Sequence, residues 1–470
     1  MAEKTLADRL GSWRGVIEVS PSGEVAVKDK RRLRAEVMDE LARLAVFSDS
    51  SSDREKARVL IWEAARQTGV RPWSIQSLYD AMGREEVTGF TTPAINLRGM
   101  VYDKARAVVA SVIRNKVGAF IFELARSEMG YTFQRPGEYA SVVIAAAVRE
   151  GFEGALFIQG DHYQVNAKKF AQGGEARSGE IQAIKDLISE AVAAGYGNID
   201  IDASTVVDLS KPSVAEQQRD NFTTSAELAA HVRSLEPRGM AISIGGEIGE
   251  VGGVNSTPEE LRAYMDGLLA ELDGKIGGGT GGRGTKGPSK ISIQTGTSHG
   301  GVPLPDGTVA RVKIDFGVLK EISRIARSDY GMAGAVQHGA STLPAEAFDE
   351  FPKATTAEVH LATDFQNIVM EHPVFPKDLK SEMYAWLDRE CAAERSGGMT
   401  PEQFYYKTRK KAWGPFKKAT WDLPDATRFE LRAALEAKFD LLFRKLGVVN
   451  TAGVVREHVK AGEFVKKLPS

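Results

Sequence analysis

Residues 155–162 read Ala155-Leu156-Phe157-Ile158-Gln159-Gly160-Asp161-His162, an apolar run that ends on a carboxylate and an imidazole. A short apolar segment bounded by turn residues reads as a buried strand. Such a strand delivers its last polar residues to one end of a sheet. The same pattern recurs downstream. Ala241 to Gly246 is followed by Glu247, Ile291 to Thr297 by Ser298-His299-Gly300, and Ala333 to His338 ends in Gln337-His338-Gly339. Four further candidate strands are Thr92 to Leu97, Ala119 to Ala125, Ile199 to Ala203 and Ala357 to Ala362, with helical patterns between most of the eight. Alternating strands and helices imply a parallel sheet, and eight strands are the number that closes a (β/α)8 barrel of the TIM type. An open doubly wound sheet is the alternative. The barrel is favoured because its chemistry sits on loops at the carboxyl ends of strands, where Asp161-His162, Glu247, His299 and His338 all fall.

Composition narrows the function classes. Lys and Arg (61) nearly balance Asp and Glu (63) over 470 residues, leaving a net charge of -2, so no nucleic-acid partner is expected. No stretch approaches the roughly 18 uninterrupted apolar residues of a membrane span, and Met1 to Arg14 has no apolar signal core, so neither a membrane partner nor export is expected. The single cysteine, Cys391, excludes an intramolecular disulfide and an all-cysteine zinc site, which fits a cytoplasmic setting.

Three regions follow from the texture. Residues 1–87 read as a helical extension, with Leu33, Val37, Leu41 and Leu44 at helical spacing and Ala57, Leu60, Ile61 and Ala64 repeating it. Residues 88–370 hold the barrel. Residues 371–470 return to helix, with Leu431, Ala434, Leu435, Phe439, Leu442 and Phe443 forming one apolar face that caps the barrel or meets a partner subunit. The segment Gly274 to Gly287 has eight glycines but lacks the Gly-Lys-Ser/Thr ending of a phosphate loop, so it reads as a connection between helix and strand.

The strand-end clusters form a metal-site inventory. Three imidazoles with an open fourth position suit a catalytic divalent ion of the zinc type, with cobalt or manganese as alternatives. His162, His299 and His338 are the expected ligands, with Glu247 a fourth ligand or a partner that orients one of them. Asp161, one residue before a ligand, can exchange a proton with a hydroxyl beside a polarised carbonyl without itself coordinating. Gly300 and Gly339 let backbone N–H groups approach an anionic oxygen, and Ser341 and Thr363 add hydroxyl donors. His360, within the eighth strand, is placed to face the barrel mouth and is expected among the substrate-binding residues.

The order and wording of these clusters resemble the class II, metal-dependent fructose-bisphosphate/tagatose-bisphosphate aldolase family over most of residues 90 to 365. The shared features are Asp161-His162 after the third strand, Glu247-Ile248-Gly249 before Gly252-Gly253, His299-Gly300 after the sixth strand, and His338-Gly339-Ala340-Ser341 after the seventh. Pro93-Ala94-Ile95-Asn96 on the first strand and Ser127 after the second fit substrate-binding positions of the family. The resemblance implies zinc held by His162, His299 and His338, proton transfer by Asp161, an anion site lined by Gly300, Gly339, Ser341 and Thr363, and a homo-oligomer, dimeric or tetrameric. It also shows departures. The acidic residues that the family places after Gly-Gly are Val254-Asn255 here, and the family's Asn-x-Asp-Thr-Asp is His360-Leu361-Ala362-Thr363-Asp364. A lysine-bearing loop after the sixth strand is replaced by Val302-Pro303-Leu304-Pro305-Asp306.

The metal site therefore looks retained while recognition has changed. The leading expectation is a zinc-dependent class II aldolase-like lyase acting on a sugar or sugar phosphate, making or breaking a C–C bond of a ketose or ketose phosphate through a metal-stabilised enediolate. A metal-dependent ketose epimerase or isomerase on the same barrel, and a non-catalytic aldolase-like partner subunit, are the alternatives.

Overall fold

The computed structural model of the chain describes residues 5–249, 254–276, 287–296 and 314–469. Eight strands form a closed parallel barrel: β1 (Thr92–Asn96), β2 (Ile121–Ala125), β3 (Gly154–Gln164), β4 (Asn198–Asp202), β5 (Ser243–Glu247), β6 (Lys290–Ile293), β7 (Ala335–Gln337) and β8 (Glu358–Leu361). Closure is made by β8 against β1, with Glu358 beside Thr92 and Leu361 beside Ile95. Every expected strand is present, and β1, β2, β4, β5 and β6 are buried along their whole length, as strands covered on both faces should be. The open-sheet alternative is thereby excluded.

Helices pack around the barrel by the rule that each buries one apolar stripe. Val101–Arg114 buries Val101, Ala105, Val108, Val109 and Val112, and Phe316–Tyr330 buries Leu319, Ile322, Ile325 and Ala326. The expected eight-glycine connection between Pro258–Ile276 and β6 lies largely outside the described residues.

The N-terminal region contains more than the helices its periodicity suggested. Ile17–Val19 and Val25–Val27 form an antiparallel hairpin, and Val70–Trp73 adds to the barrel in parallel beside the start of β3, pairing Val70 with Gly154 and Trp73 with Phe157. A three- or four-residue strand has too short a pattern to stand out beside an 18-residue helix such as Ser51–Thr68. This added strand reaches the amino end of the barrel, where Ile75 N–H donates to Asn198 Oδ1 at 3.0 Å and Ser243 N–H to Ser74 Oγ at 3.0 Å. Gly197 makes the approach possible, since a Cβ there would lie 2.3 Å from the Trp73 carbonyl oxygen.

The C-terminal region packs on the barrel's own helices. Asp425–Lys445 buries Leu431, Leu435, Phe439, Leu442 and Phe443 and lies along Val101–Arg114, where Arg432 pairs with Asp103 at 2.5 Å and Arg114 with Asp440 at 2.9 Å. The final residues return to the N-terminal region, with Phe464 stacked on Trp73 at 5.3 Å and its carbonyl accepting from Trp62 Nε1 at 2.7 Å. Between these contacts, Trp413 donates to Gln366 Oε1 at 2.8 Å and lies under the ammonium of the buried Lys104, 4.8 Å from ring centroid to Nζ.

Burial, and then the like charge of Arg98, lower the pKa of Lys104 to about 7. The folded state therefore binds fewer protons than the unfolded state between about pH 7 and the ordinary lysine value, so stability should rise with pH across that window. Lys104→Met is expected to raise the urea midpoint at pH 7 and to flatten its rise between pH 7 and 9, measured by fluorescence-monitored denaturation.

Candidate active site at the barrel mouth

Local geometry at the end of β3 creates the site. Pairing with β4 runs Gln159 to Asn198 and Gly160 to Ile199, then jumps to Tyr163 with Ile201, so Asp161 and His162 together face the single Asp200. This bulge and the positive φ of His162 (41°) turn two consecutive side chains toward the mouth. Gly160 is required there because a Cβ would lie 2.5 Å from the Tyr163 ring.

His162 and His338 meet at the centre, with Nε2 of the first 3.0 Å from Nδ1 of the second. The outer nitrogen of each ring is also engaged. His162 Nδ1 lies 3.0 Å from Asp202 Oδ2 and 3.1 Å from Glu247 Oε2, and His338 Nε2 lies 2.9 Å from Ser292 Oγ. Asp161 Oδ1 lies 3.8 Å from His162 Nε2. Asp161, His162 and His338 bring ligand atoms within 4.8 Å of one another, as do His162, Asp202 and Glu247.

The electrostatics follow from burial among carboxylates. Burial opposes charging of His162, but the charges of Asp161 and Glu247 and the hydrogen bond to Asp202 outweigh it and raise its pKa well above the usual histidine value. Burial and then the neighbouring Asp202 push Glu247 up to about 7. Asp202 moves the other way: burial would raise it, but the hydrogen bond and charge of His162 hold it below the usual carboxylate range.

Asp161, His162, Glu247 and His338 line a cavity of about 620 Å³ that also includes Asn96, Ser127, Gly339, Ser341, His360 and Thr363. Of the residues expected from sequence, the structure thus brings Asp161, His162, Glu247, His338, Asn96, Ser127, Gly339, Ser341, His360 and Thr363 to one place. His299 and Gly300 lie outside the described residues. Ser341 and Asn96 are already engaged, because Ser341 Oγ accepts from the Ala362 N–H at 2.6 Å and Asn96 Nδ2 donates to Glu128 Oε2 at 2.6 Å.

Sequence reading passed over several residues of the site. Asp202 sits at the end of β4, the same signal that marked Glu247, but without a flanking glycine or histidine to draw attention. Arg98, largely buried, pairs with the buried Glu128 at 2.6 Å on one wall, and Arg98 reaches Thr363 Oγ1 at 3.5 Å. Lys410, from the C-terminal region, reaches the same cavity, which no linear pattern predicts.

A closed eight-stranded barrel with imidazoles and carboxylates gathered at its carboxyl end defines the class: a barrel enzyme scaffold with a site suited to a divalent cation. Residues 78–412 match the family model described as fructose-bisphosphate aldolase class-II, and the chain belongs to that family. It therefore carries an aldolase-type scaffold.

Among solved structures, a probable tagatose 6 phosphate kinase from Sinorhizobium meliloti 1021 is similar at 16% identity and a TM-score of 0.53, covering 79% of this chain and 100% of that one. A fructose-bisphosphate aldolase from Campylobacter jejuni is 18% identical with a TM-score of 0.47, covering 81% and 97%. The YdjI aldolase from Escherichia coli K12 is 12% identical with a TM-score of 0.47, covering 81% and 99%. A comparison with curated proteins gives no significant match. Among the described residues, no helix is long and apolar enough to cross a membrane.

Removing one partner of a buried ion pair leaves the other charge uncompensated. Arg98→Met is therefore expected to cost about 3–5 kcal/mol of stability, read from denaturant unfolding, whereas Arg98→Met/Glu128→Leu should recover most of that loss.

Proposed function

We propose that the chain is a zinc-dependent aldolase-type lyase that makes or breaks a carbon–carbon bond of a ketose or ketose phosphate. The observation that carries this reading is the approach of His162 Nε2 to His338 Nδ1 at 3.0 Å beside Asp161. Adjacent donors around a tetrahedral ion with bonds of about 2.0–2.1 Å stand at about 3.3 Å, so these two nitrogens need to separate by only a few tenths of an ångström. The donor set fits zinc, cobalt or manganese. His162 and His338 would hold the ion, with His299 as the third ligand by the family's pattern. When bound, the ion supplies a Lewis acid that polarises the ketose carbonyl.

The chain's own residues do the rest. Asp202 and Glu247 accept from His162 Nδ1, which fixes the tautomer and directs Nε2 at His338. Ser292 does the same for His338 through its Nε2. Asp161, buried at the mouth, takes the proton of the hydroxyl on the carbon to be released. That oxygen becomes a carbonyl, the adjacent C–C bond breaks, and its electron pair stays on the ketone fragment as an enediolate that is later protonated at carbon. Gly339, at φ 71°, presents backbone beside Ser341 and Thr363 for an anionic oxygen of the substrate.

The purified chain supplied with zinc and a panel of ketoses and ketose phosphates is expected to release a shorter aldehyde and a shorter ketone, and to lose activity with a chelator. A rearranged sugar of unchanged mass would transfer the reading to an epimerase. Asp161→Asn should lower kcat by about 10²–10⁴ with metal content unchanged. Asp202→Ala should instead weaken metal affinity by about 10–100-fold, measured by competition with a chromophoric chelator.

A further inference from the structure

Beneath the mouth, the barrel interior is charged where such interiors are usually filled by branched apolar side chains. Lys290 on β6 is fully buried; its Nζ lies 2.7 Å from Gln159 Oε1 and 3.0 Å from Asp200 Oδ2, and it makes a short contact with Glu358 Oε1 on β8. Gly245 on β5 leaves the room for this meeting, since a Cβ there would lie 2.3 Å from Asp200 Oδ1 and 2.9 Å from Lys290 Cε. Tyr79, from the N-terminal region, donates to the other Glu358 oxygen.

The pair is connected upward. Glu358 Oε1 lies 2.7 Å from His360 Nε2, and His360 Nδ1 lies 3.3 Å from Asp161 Oδ1 and 3.0 Å from Glu123 Oε2. Gln159 braces the same layer, donating to Glu123 Oε2 at 3.0 Å and to Glu358 Oε1 at 2.9 Å. Two contacts thus lead from the Lys290–Glu358 pair to the carboxylate at the mouth.

Stability is a weak reason for this arrangement, because replacing a fully buried ion pair by apolar residues of similar volume is often neutral or stabilising. Position is a better one. A proton-transfer carboxylate must be held to within a fraction of an ångström, by neighbours that are themselves held.

We propose that Lys290, Glu358 and His360 are positioning residues: the buried ion pair braces His360, and His360 sets where the Asp161 carboxylate stands. This rests on the reading of Asp161 as the proton carrier. None of the three needs to touch substrate for the effect.

The test removes both charges of the closest pair together; Asp200, which loses its contact with Lys290, keeps His360 Nε2 at 3.8 Å. Lys290→Met/Glu358→Met is compared with the parent in melting temperature, zinc content, kcat and KM for cleavage of fructose 1-phosphate and fructose bisphosphate, and a crystal structure. The expected result is a folded protein with full zinc content, an unchanged KM and a kcat lower by about 10- to 100-fold, in which His360 and Asp161 have moved. A folded variant that keeps the parent's kcat, or that keeps both side chains in place, overturns the proposal. A variant that cannot fold also overturns it, since the pair is then structural. If the parent cleaves neither sugar phosphate, the functional reading fails for those substrates, and the positions of His360 and Asp161 in the two crystal structures still decide the positioning claim.

Discussion

The bulge between β3 and β4 is the constraint on which the site depends. A regular parallel ladder would send Asp161 and His162 to opposite faces of the strand, one inward and one toward the helices. Two residues set against Asp200 alone, with Gly160 clearing the Tyr163 ring and His162 at positive φ, bring both side chains to the mouth. β3 can tolerate that break because it is the longest barrel strand, from Gly154 to Gln164, and is paired below the bulge to β2 and to the added strand Val70–Trp73. The irregular segment is anchored by regular pairing on its amino-terminal side.

The charged interior and the mouth are parts of one electrostatic unit. Burial drives Glu123, with help from Asp161, up to about 7, and Asp200 up to about 6, while Lys290 and His360 hold Glu358 low against the cost of its burial. The neighbouring carboxylates therefore do not share one protonation behaviour: Glu358, which alone touches both Lys290 and His360 closely, stays ionised most readily. His162 is raised by Asp161, Glu247 and Asp202 together, and its charge in turn holds Asp202 low. On the proposed reading, a divalent cation held by His162 and His338 would replace much of that mutual support.

The flanking regions matter through contact with the barrel. The N-terminal region supplies Tyr79 to the Glu358 pair and a strand to the barrel's lower edge, and the C-terminal region supplies Lys410 to the cavity and Trp413 to the wall beneath Lys104. Gly99 packs so tightly on Trp413 that a Cβ would come within 2.1 Å of the ring, so this docking is a close fit. In this chain the flanking regions complete the barrel's floor and one side of its mouth.

By itself the sequence determined the eight strands, the helices between them and the strand-end positions of Asp161, His162, Glu247 and His338. Buried parallel strands are continuous apolar runs that stand out against polar loops, and the ionisable residues ending them are visible in the linear order. The roles of Glu123, Asp200, Asp202, Lys290 and Glu358 were decided only by tertiary structure. Each is a single charged residue inside or beside an apolar run, and nothing local says whether it turns outward to water or inward to a partner. Closing the barrel places residues from β2, β4, β6 and β8 within hydrogen-bond reach across a buried interior, so their charges must answer one another. His360 shows the division most clearly: its place in the eighth strand was legible as a sequence, but its link from Glu358 to Asp161 exists only once the strands meet.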